Sequence, residues 1–236
     1  MPRRVPPDTL AQMVAYYRAR AAEYDEWFER RGRYDHGPEE NARWFAEAGE
    51  VFAALESLDF SGDVLELAPG TGLWTQRLVR TARSVAVVDA APEMIAHNRA
   101  RVASARVRYL QADLFDWRPD RVYDAVCFAF WVSHVPLEDL DGFLRMVATA
   151  VQPGGAVFFV DGRREPLSTA KDHVLPDQDQ QVMVRRLNDG RAFRIVKNFY
   201  DPGWLADRCR RAGLQMVVRE TASYFLYATG TRATAS

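Results

Sequence analysis

Cysteine is scarce in this chain of 236 residues: Cys127 and Cys209 are the only two. Two thiols so far apart cannot supply a disulfide framework or a zinc site, so no metal is expected and a reducing, cytoplasmic setting fits. No apolar run approaches the ~18 residues of a membrane helix. The longest, near Ala125–Val132, has the length of a strand, and no membrane partner is expected. Met1–Asp8 carries basic residues with no apolar stretch behind them, unlike a secretory leader. An excess of one charge is missing too. With 31 basic and 32 acidic residues, net −1, there is no global reason to bind nucleic acid. Lysine is rare: Lys171 and Lys197 are the only two among the 31 basic residues. That bias fits a GC-rich genome and makes a lysine at a special position worth inspection. What is plentiful is core material, 48% hydrophobic and 12% aromatic residues, which excludes disorder.

The hydrophobic period changes along the chain. Thr9–Phe28 carries Leu10, Met13, Val14, Tyr17, Ala21, Tyr24 and Phe28 as a helical stripe. Gly32–Gly37 breaks it, and Glu39–Leu58 forms a second amphipathic helix. From there the runs become short and strand-like: Asp63–Ala68, Ser84–Asp89, Val107–Gln111, Tyr123–Phe130 and Gly155–Asp161. The gaps between them suit crossover helices, as parallel β/α units require. Pro202–Ala212 reads as a further helix, and Leu214–Glu220 with Tyr224–Gly230 as two mutually antiparallel closing strands. The expected fold is α/β, a doubly wound, mostly parallel seven-stranded sheet with an N-terminal helical cap and an inserted β-hairpin. As one domain, it divides into a cap over 1–60, a cofactor-binding core over 61–161, the insertion over 162–200 and a closing unit over 201–236.

The strongest signal is Val64–Thr75, VLELAPGTGLWT, a strand running through Gly70 and Gly72 into a helix. Two glycines let the backbone pass close beneath a ligand. Asp89 ends the second strand, where a doubly wound sheet presents a carboxylate to ribose hydroxyls. Asp113, at the end of the third, suits an adenine amino group, with Leu114 or Phe115 packing on the ring. A dinucleotide fingerprint needs a third glycine where this chain has Thr75, and Glu66 would repel a pyrophosphate. A cationic nucleoside without phosphate suits this acid-lined site better, and S-adenosylmethionine is such a molecule.

Glu66-x-x-x-Gly70-x-Gly72, Asp89, Asp113-Leu114-Phe115 and Gln152-Pro153-Gly154-Gly155, the expected turn before strand five, resemble the class I S-adenosylmethionine-dependent methyltransferases. Pro69 departs from the usual residue and should stiffen the loop. The resemblance implies that the Gly70–Gly72 loop lies under the methionine part, Asp89 binds ribose and Asp113 with Leu114 flanks adenine, with Glu66 and Ala68 as further candidate cofactor-binding residues. It also implies that Tyr17, Tyr24, Met94, Phe115 and Phe130 complete the cofactor site. A narrower resemblance rests on Tyr16–Ala21 with Glu23-Tyr24-Asp25, Phe130-Trp131-x-x-His134-Val135-Pro136, and Val184–Arg186 with Asp189–Lys197. These segments are similar to the phosphonate O-methyltransferase of dehydrophos biosynthesis.

Ligands sit over the carboxyl ends of such strands, so the cap and the insertion should cover the methyl acceptor. Asn188-Asp189-Gly190 between two alternating runs is a hairpin signal. A three-residue loop with left-handed Gly190 pairs Leu187 with Arg191, Arg185 with Phe193, Met183 with Ile195 and Gln181 with Lys197. Arg185 and Lys197 then share one face, Arg186 and Arg194 the other. A two-residue loop would instead oppose Arg185 and Arg194, a like-charge pair that needs an anion. Either way a positive patch results, so Arg185, Lys197 and Arg194, with Tyr34 of the cap, are candidate substrate-binding residues. Tyr17, Tyr24, Trp27 and Tyr34 are candidate lid residues. His134 follows strand four and is the catalytic candidate, as general base or as positioning group. The expected function is methyl transfer to an anionic oxygen of a small molecule, a phosphonate or carboxylate, in secondary metabolism. The rivals are an N-methyltransferase or neutral-hydroxyl O-methyltransferase with His134 as base, and a non-catalytic cofactor-binding protein.

Overall fold

The computed structural model describes residues 4–234; residues 1–3, the start of the basic N-terminal segment, and residues 235–236 lie outside the described residues. The chain opens with α1 (Thr9–Arg20), but the helix expected to reach Phe28 breaks. A 3-10 turn over Ala21–Glu23 precedes a single further turn, α2 (Asp25–Phe28). Beyond the break the Asp25 carboxylate accepts from the Thr71 hydroxyl and from the Arg101 guanidinium, each at 2.5 Å. α3 (Pro38–Glu56) starts with proline at its first turn and Glu39 and Glu40 beside it, which suits the fixed φ and the positive end of the helix dipole.

Alternating strands and helices follow: β1 (Asp63–Leu67), α4 (Thr75–Thr81), β2 (Ser84–Asp89), α5 (Pro92–Val102), β3 (Val107–Gln111), β4 (Tyr123–Ala129), α6 (Leu140–Ala150) and β5 (Val151–Gly162). The hairpin β6 (Val182–Arg186) and β7 (Ala192–Val196) is inserted before α7 (Pro202–Arg211), β8 (Leu214–Glu220) and β9 (Phe225–Arg232). The main sheet runs β3-β2-β1-β4-β5-β9-β8. β9 is antiparallel to both neighbours, and the other pairings are parallel. Its strands alternate between two buried layers. Leu65, Leu67, Phe128 and Phe159 face a core shared with α6 and α7. Val64, Val85, Cys127 and Phe158 face one shared with Trp44, Leu55 and Leu78 of α3 and α4. Strand order reverses between β1 and β4, which opens a crevice over their carboxyl ends.

β5 begins earlier than expected. Gln152–Gly155 is not a free turn but a bulged start of the strand, where the register slips between Tyr123↔Val151 and Ala125↔Ala156. A Cβ at Gly155 would stand 2.5 Å from the Asp124 carbonyl oxygen, so only glycine lets the two strands meet there. The hairpin adopts the three-residue register: Arg185 opposes Phe193, Met183 opposes Ile195, and Leu187 N–H donates to the Arg191 carbonyl at 2.9 Å. Met13 and Tyr16 of α1 pack on Met183, Ile195 and Val196, so cap and hairpin form one roof over the crevice.

The glycine loop is pinned from α5. Asn98 is fully buried, donates to Thr75 Oγ1 at 2.8 Å and accepts from the Tyr109 hydroxyl. Gly72 has φ +94°, and a Cβ there would lie 2.9 Å from Asn98 Cγ and 3.1 Å from its Cα. Gly72→Ala is therefore expected to cost about 2 kcal/mol or more. Gly142→Ala, in α6 with open space around it, should gain up to ~1 kcal/mol. Urea midpoints at constant m-value check both.

Candidate active site: two cavities that meet

The first cavity lies over the ends of β1, β2, β3 and β4 and under α1. Its polar lining is acidic. Asp89 Oδ1 accepts from Ala91 N–H at 2.9 Å and Oδ2 from Gly70 N–H at 3.3 Å, which fixes the carboxylate at the rim. Burial pushes its pKa up to about 6. Asp113 accepts from Phe115 N–H at 3.0 Å and faces the same space. Tyr17, Tyr24, Ala68, Gly70, Met94, Leu114, Phe115, Phe130 and Trp131 supply much of the rest.

Two sequence-predicted cofactor residues stand behind this wall. Gly72 shapes the loop, and Glu66 lies beneath it, 1% exposed with Oε2 unpartnered. Burial lifts the Glu66 carboxyl to about 8, opposed by the Thr75 hydroxyl. Ala68 and Phe130, ending β1 and β4, hold φ of +51° and +54°, a conformation that bulky L residues enter at a cost of ~1–3 kcal/mol. Among the described residues no lysine or arginine lines this cavity. Positive-φ backbone at Gly70, acids at the ends of β2 and β3 and the orphan Glu66 carboxylate oxygen beneath fit a cationic nucleoside.

The second cavity lies between the roof and the end of β5, lined by Arg20, Trp27, Trp44, Arg163, Arg185, Lys197 and Phe199 among others. Tyr17, Tyr24, Phe130 and His134 line both cavities, so these four residues form the junction. His134 is 5% exposed and bonded at both nitrogens, Nδ1 at 2.6 Å from the Val196 carbonyl and Nε2 at 2.7 Å from the Tyr17 hydroxyl. A carbonyl only accepts, so Nδ1 carries the proton and Nε2 accepts from Tyr17. Burial, with Lys197 nearby, drives the imidazole pKa down to about 3, and the ring is neutral at ordinary pH.

The hairpin cations divide into three kinds. Lys197 Nζ donates to Asp161 Oδ1 at 2.9 Å and to Ser133 Oγ at 2.8 Å. It is thus not the free cation expected from a hairpin poor in acids, because its partner comes from the end of β5. Arg194 turns outward onto Asp8 and is absent from the cavity lining, since its register puts it on the opposite face from Arg185. Arg185 is buried, lines the second cavity, and its guanidinium has no hydrogen-bond or ion-pair partner among the described residues. Tyr34 is buried behind the wall, its hydroxyl accepting from Arg20 at 3.2 Å. Arg20 itself was not singled out from sequence. It is one of the buried residues of α1, and in an arginine-rich chain its residue type alone carries no signal.

Residues 64–155 match the family described as a methyltransferase domain. The solved complex of DhpI with SAH is 37% identical, covers 98% of this chain and 100% of that one, and superposes with a TM-score of 0.79. The DhpI complex with SAM and HEP is 39% identical, covers 96% and 99%, with a TM-score of 0.78.

The chain belongs to the S-adenosylmethionine-dependent methyltransferases.

A ubiquinone biosynthesis O-methyltransferase of Xanthomonas axonopodis pv. citri (strain 306) is also similar, 29% identical over 168 residues, which span 70% of this methyltransferase and 66% of that relative. Membership makes S-adenosylmethionine the cofactor, consistent with the acidic lining. The buried ion pair of the methyltransferase gives a stability prediction. Lys197→Gln leaves the Asp161 carboxylate, 2% exposed, without its counter-charge and should cost about 3–5 kcal/mol. Arg194→Ala breaks a half-exposed pair and should cost under ~1 kcal/mol. Chemical denaturation of the two variants checks the contrast.

Proposed function

We propose that this methyltransferase transfers the methyl group to an anionic oxygen of a small molecule, a phosphonate or a carboxylate, in secondary metabolism. The observation that carries the reading is Arg185, a buried guanidinium without a protein partner in the cavity that adjoins the cofactor site. An uncompensated buried charge costs several kcal/mol unless an anion completes it. The resemblance to a phosphonate O-methyltransferase points the same way.

In the first cavity Asp89 takes the ribose hydroxyls, and Asp113 with Leu114 and Phe115 takes adenine. Met94 packs beside them, and the loop Ala68–Gly72, backed by Glu66, carries the methionine part. When bound, the cofactor supplies an electrophilic methyl group on a sulfonium. The rest falls to this chain's own residues. Arg185 anchors the acceptor, while Tyr17, Tyr24 and Phe130 close the junction against water. Such placement can supply ~7–11 kcal/mol of the barrier without proton transfer. His134 acts as a positioning residue. Its Nε2 lone pair is taken by Tyr17 O–H and its Nδ1–H by Val196, so it holds Tyr17 at the junction rather than receiving an acceptor proton. An acceptor that is already anionic needs no base.

Arg185→Gln should raise KM for the acceptor ~10- to 150-fold, from a lost charge-assisted bond of ~1.5–3 kcal/mol, with S-adenosylhomocysteine affinity unchanged. The same variant should melt at least as high as wild type, because it removes an unpaired buried charge. A panel of phosphonate, carboxylate and neutral hydroxyl acceptors tests the class; turnover confined to neutral hydroxyls or amines would overturn it.

For His134 the pH profile is decisive. With an imidazole pKa near 3, no acidic limb from this residue should appear between pH 5 and 9, and His134→Asn should lower kcat modestly without altering the profile. An acidic limb near the ordinary imidazole value that vanishes in His134→Asn would identify a general base instead.

A further inference from the structure

The second cavity has a way out that does not pass the cofactor. The junction of Tyr17, Tyr24, Phe130 and His134 leads only to the first cavity. Above, Met13 and Tyr16 pack on the hairpin. Toward the cap, Trp27 Nε1–H donates to the Ser168 carbonyl at 2.7 Å and Arg30 Nη2–H to that of Leu167 at 2.6 Å, which fastens the loop after β5 to α2. Beyond these fastenings Gly162, Arg163, Leu175 and Phe199 line the cavity and are partly exposed, whereas Arg185, Lys197 and Tyr224 are buried. The segment 163–181 that forms this side holds one 3-10 turn and no other regular element, a length that in a compact domain accompanies binding loops.

A third cavity adjoins that side, and Arg163 and Phe199 line both, so a single layer of side chain divides the two. Arg163 is fixed. It donates to the carbonyls of Thr221 and Ala222 at 2.6 and 2.7 Å and pairs with Glu220 at 3.1 Å. Phe199 is the movable member. The backbone around it is pinned to the loop after β4, through Asn198 N–H to the Ser133 carbonyl at 2.8 Å and the Tyr200 hydroxyl to that of Val132 at 3.0 Å. Its ring, by contrast, lies against two cations, Lys197 Nζ at 5.3 Å and the Arg164 guanidinium at 5.9 Å from the centroid, contacts that weaken toward solvent. A partly exposed side chain changes rotamer fast. The outer cavity carries both signs, Arg163 and Arg164 with Glu165 and Glu220, so charge is selected further in, at Arg185.

We infer that the acceptor enters and its methylated product leaves past Phe199, whose ring sets the width of the acceptor admitted, while the cofactor keeps to the first cavity. The inference rests on the reading of the second cavity as the acceptor site. Acceptor exchange then requires neither movement of the cap nor departure of the cofactor, and Phe199 becomes a specificity residue that touches no reacting atom.

Stopped-flow tryptophan fluorescence tests it, because Trp27 and Trp44 line the cavity. Protein saturated with S-adenosylhomocysteine is mixed with methylphosphonate or with the wider phenylphosphonate. Phe199→Ala should speed the association of phenylphosphonate about tenfold and that of methylphosphonate by less than about twofold, and Phe199→Trp should slow phenylphosphonate by about tenfold. Both variants should take up S-adenosylhomocysteine at the wild-type rate, which also certifies that they are folded. Wild-type association rates for both phosphonates in both variants would make Phe199 a fixed wall and overturn the inference. A change for S-adenosylhomocysteine as large as that for phenylphosphonate would overturn it too, because the ring would then brace the whole roof. Wild-type protein that associates with neither phosphonate would overturn the anionic acceptor and this route together, a result distinct from binding that Phe199 does not govern.

Discussion

The buried pair of Lys197 and Asp161 is the fastening on which the site depends. One partner closes the inserted hairpin, the other ends β5, and Ser133 of the loop after β4 joins them through its hydroxyl and its N–H. Three segments distant in sequence thereby meet at one point above the sheet. With Lys197 anchored and the hairpin in a three-residue register, the two-residue period of a strand sends Arg185 inward and Arg186 and Arg194 outward. The Val196 carbonyl beside the anchor accepts from His134 Nδ1–H, so the same fastening orients the imidazole and, through it, Tyr17. A lysine that reads as a free cation in sequence serves mainly as structure, while a neighbouring arginine remains available.

Much of the fold was legible because its signals are local. Strands buried on both faces read as short Val-rich runs, and Gly70 with Gly72 marks the tight loop between strand and helix. Asn188-Asp189-Gly190 determined the hairpin register because Gly190, at φ +86°, is where the chain must turn left-handed. What was hidden depends on partners remote in sequence. Asp161 reaches Lys197 across 36 positions, and no pattern in the hairpin announces it. Where the first helix breaks at Ala21, the Glu23 carboxylate turns to Asn188 N–H at the hairpin tip, 165 positions away. The break in the first helix escaped notice because Ala21 and Tyr24 continue the apolar stripe. The early start of β5 was masked by Pro153 and two glycines, which signal a turn but here accommodate a bulge.

Backbone strain marks the crevice independently of charge. Ala68 and Phe130 are non-glycine residues in the left-handed region, and they end the two adjacent strands at which the sheet order reverses. Each is tied by its N–H to the neighbouring strand, Ala68 to the Val88 carbonyl at 2.9 Å and Phe130 to that of Val160 at 2.7 Å. The sheet holds them there, and the chain turns away at once, leaving the strand ends open to a ligand.

The carboxyls in and beneath the first cavity also make it a proton reservoir. Burial raises Asp89 to about 6 and Glu66 to about 8, so near neutrality the empty protein carries most of a proton on Glu66 and only a small fraction of one on Asp89. A sulfonium and an ammonium arriving beside these groups favour their ionised forms and draw both values down. Cofactor uptake then expels protons to solvent, and affinity strengthens as pH rises toward 8. The heat of binding accordingly includes the ionisation heat of whatever buffer receives those protons.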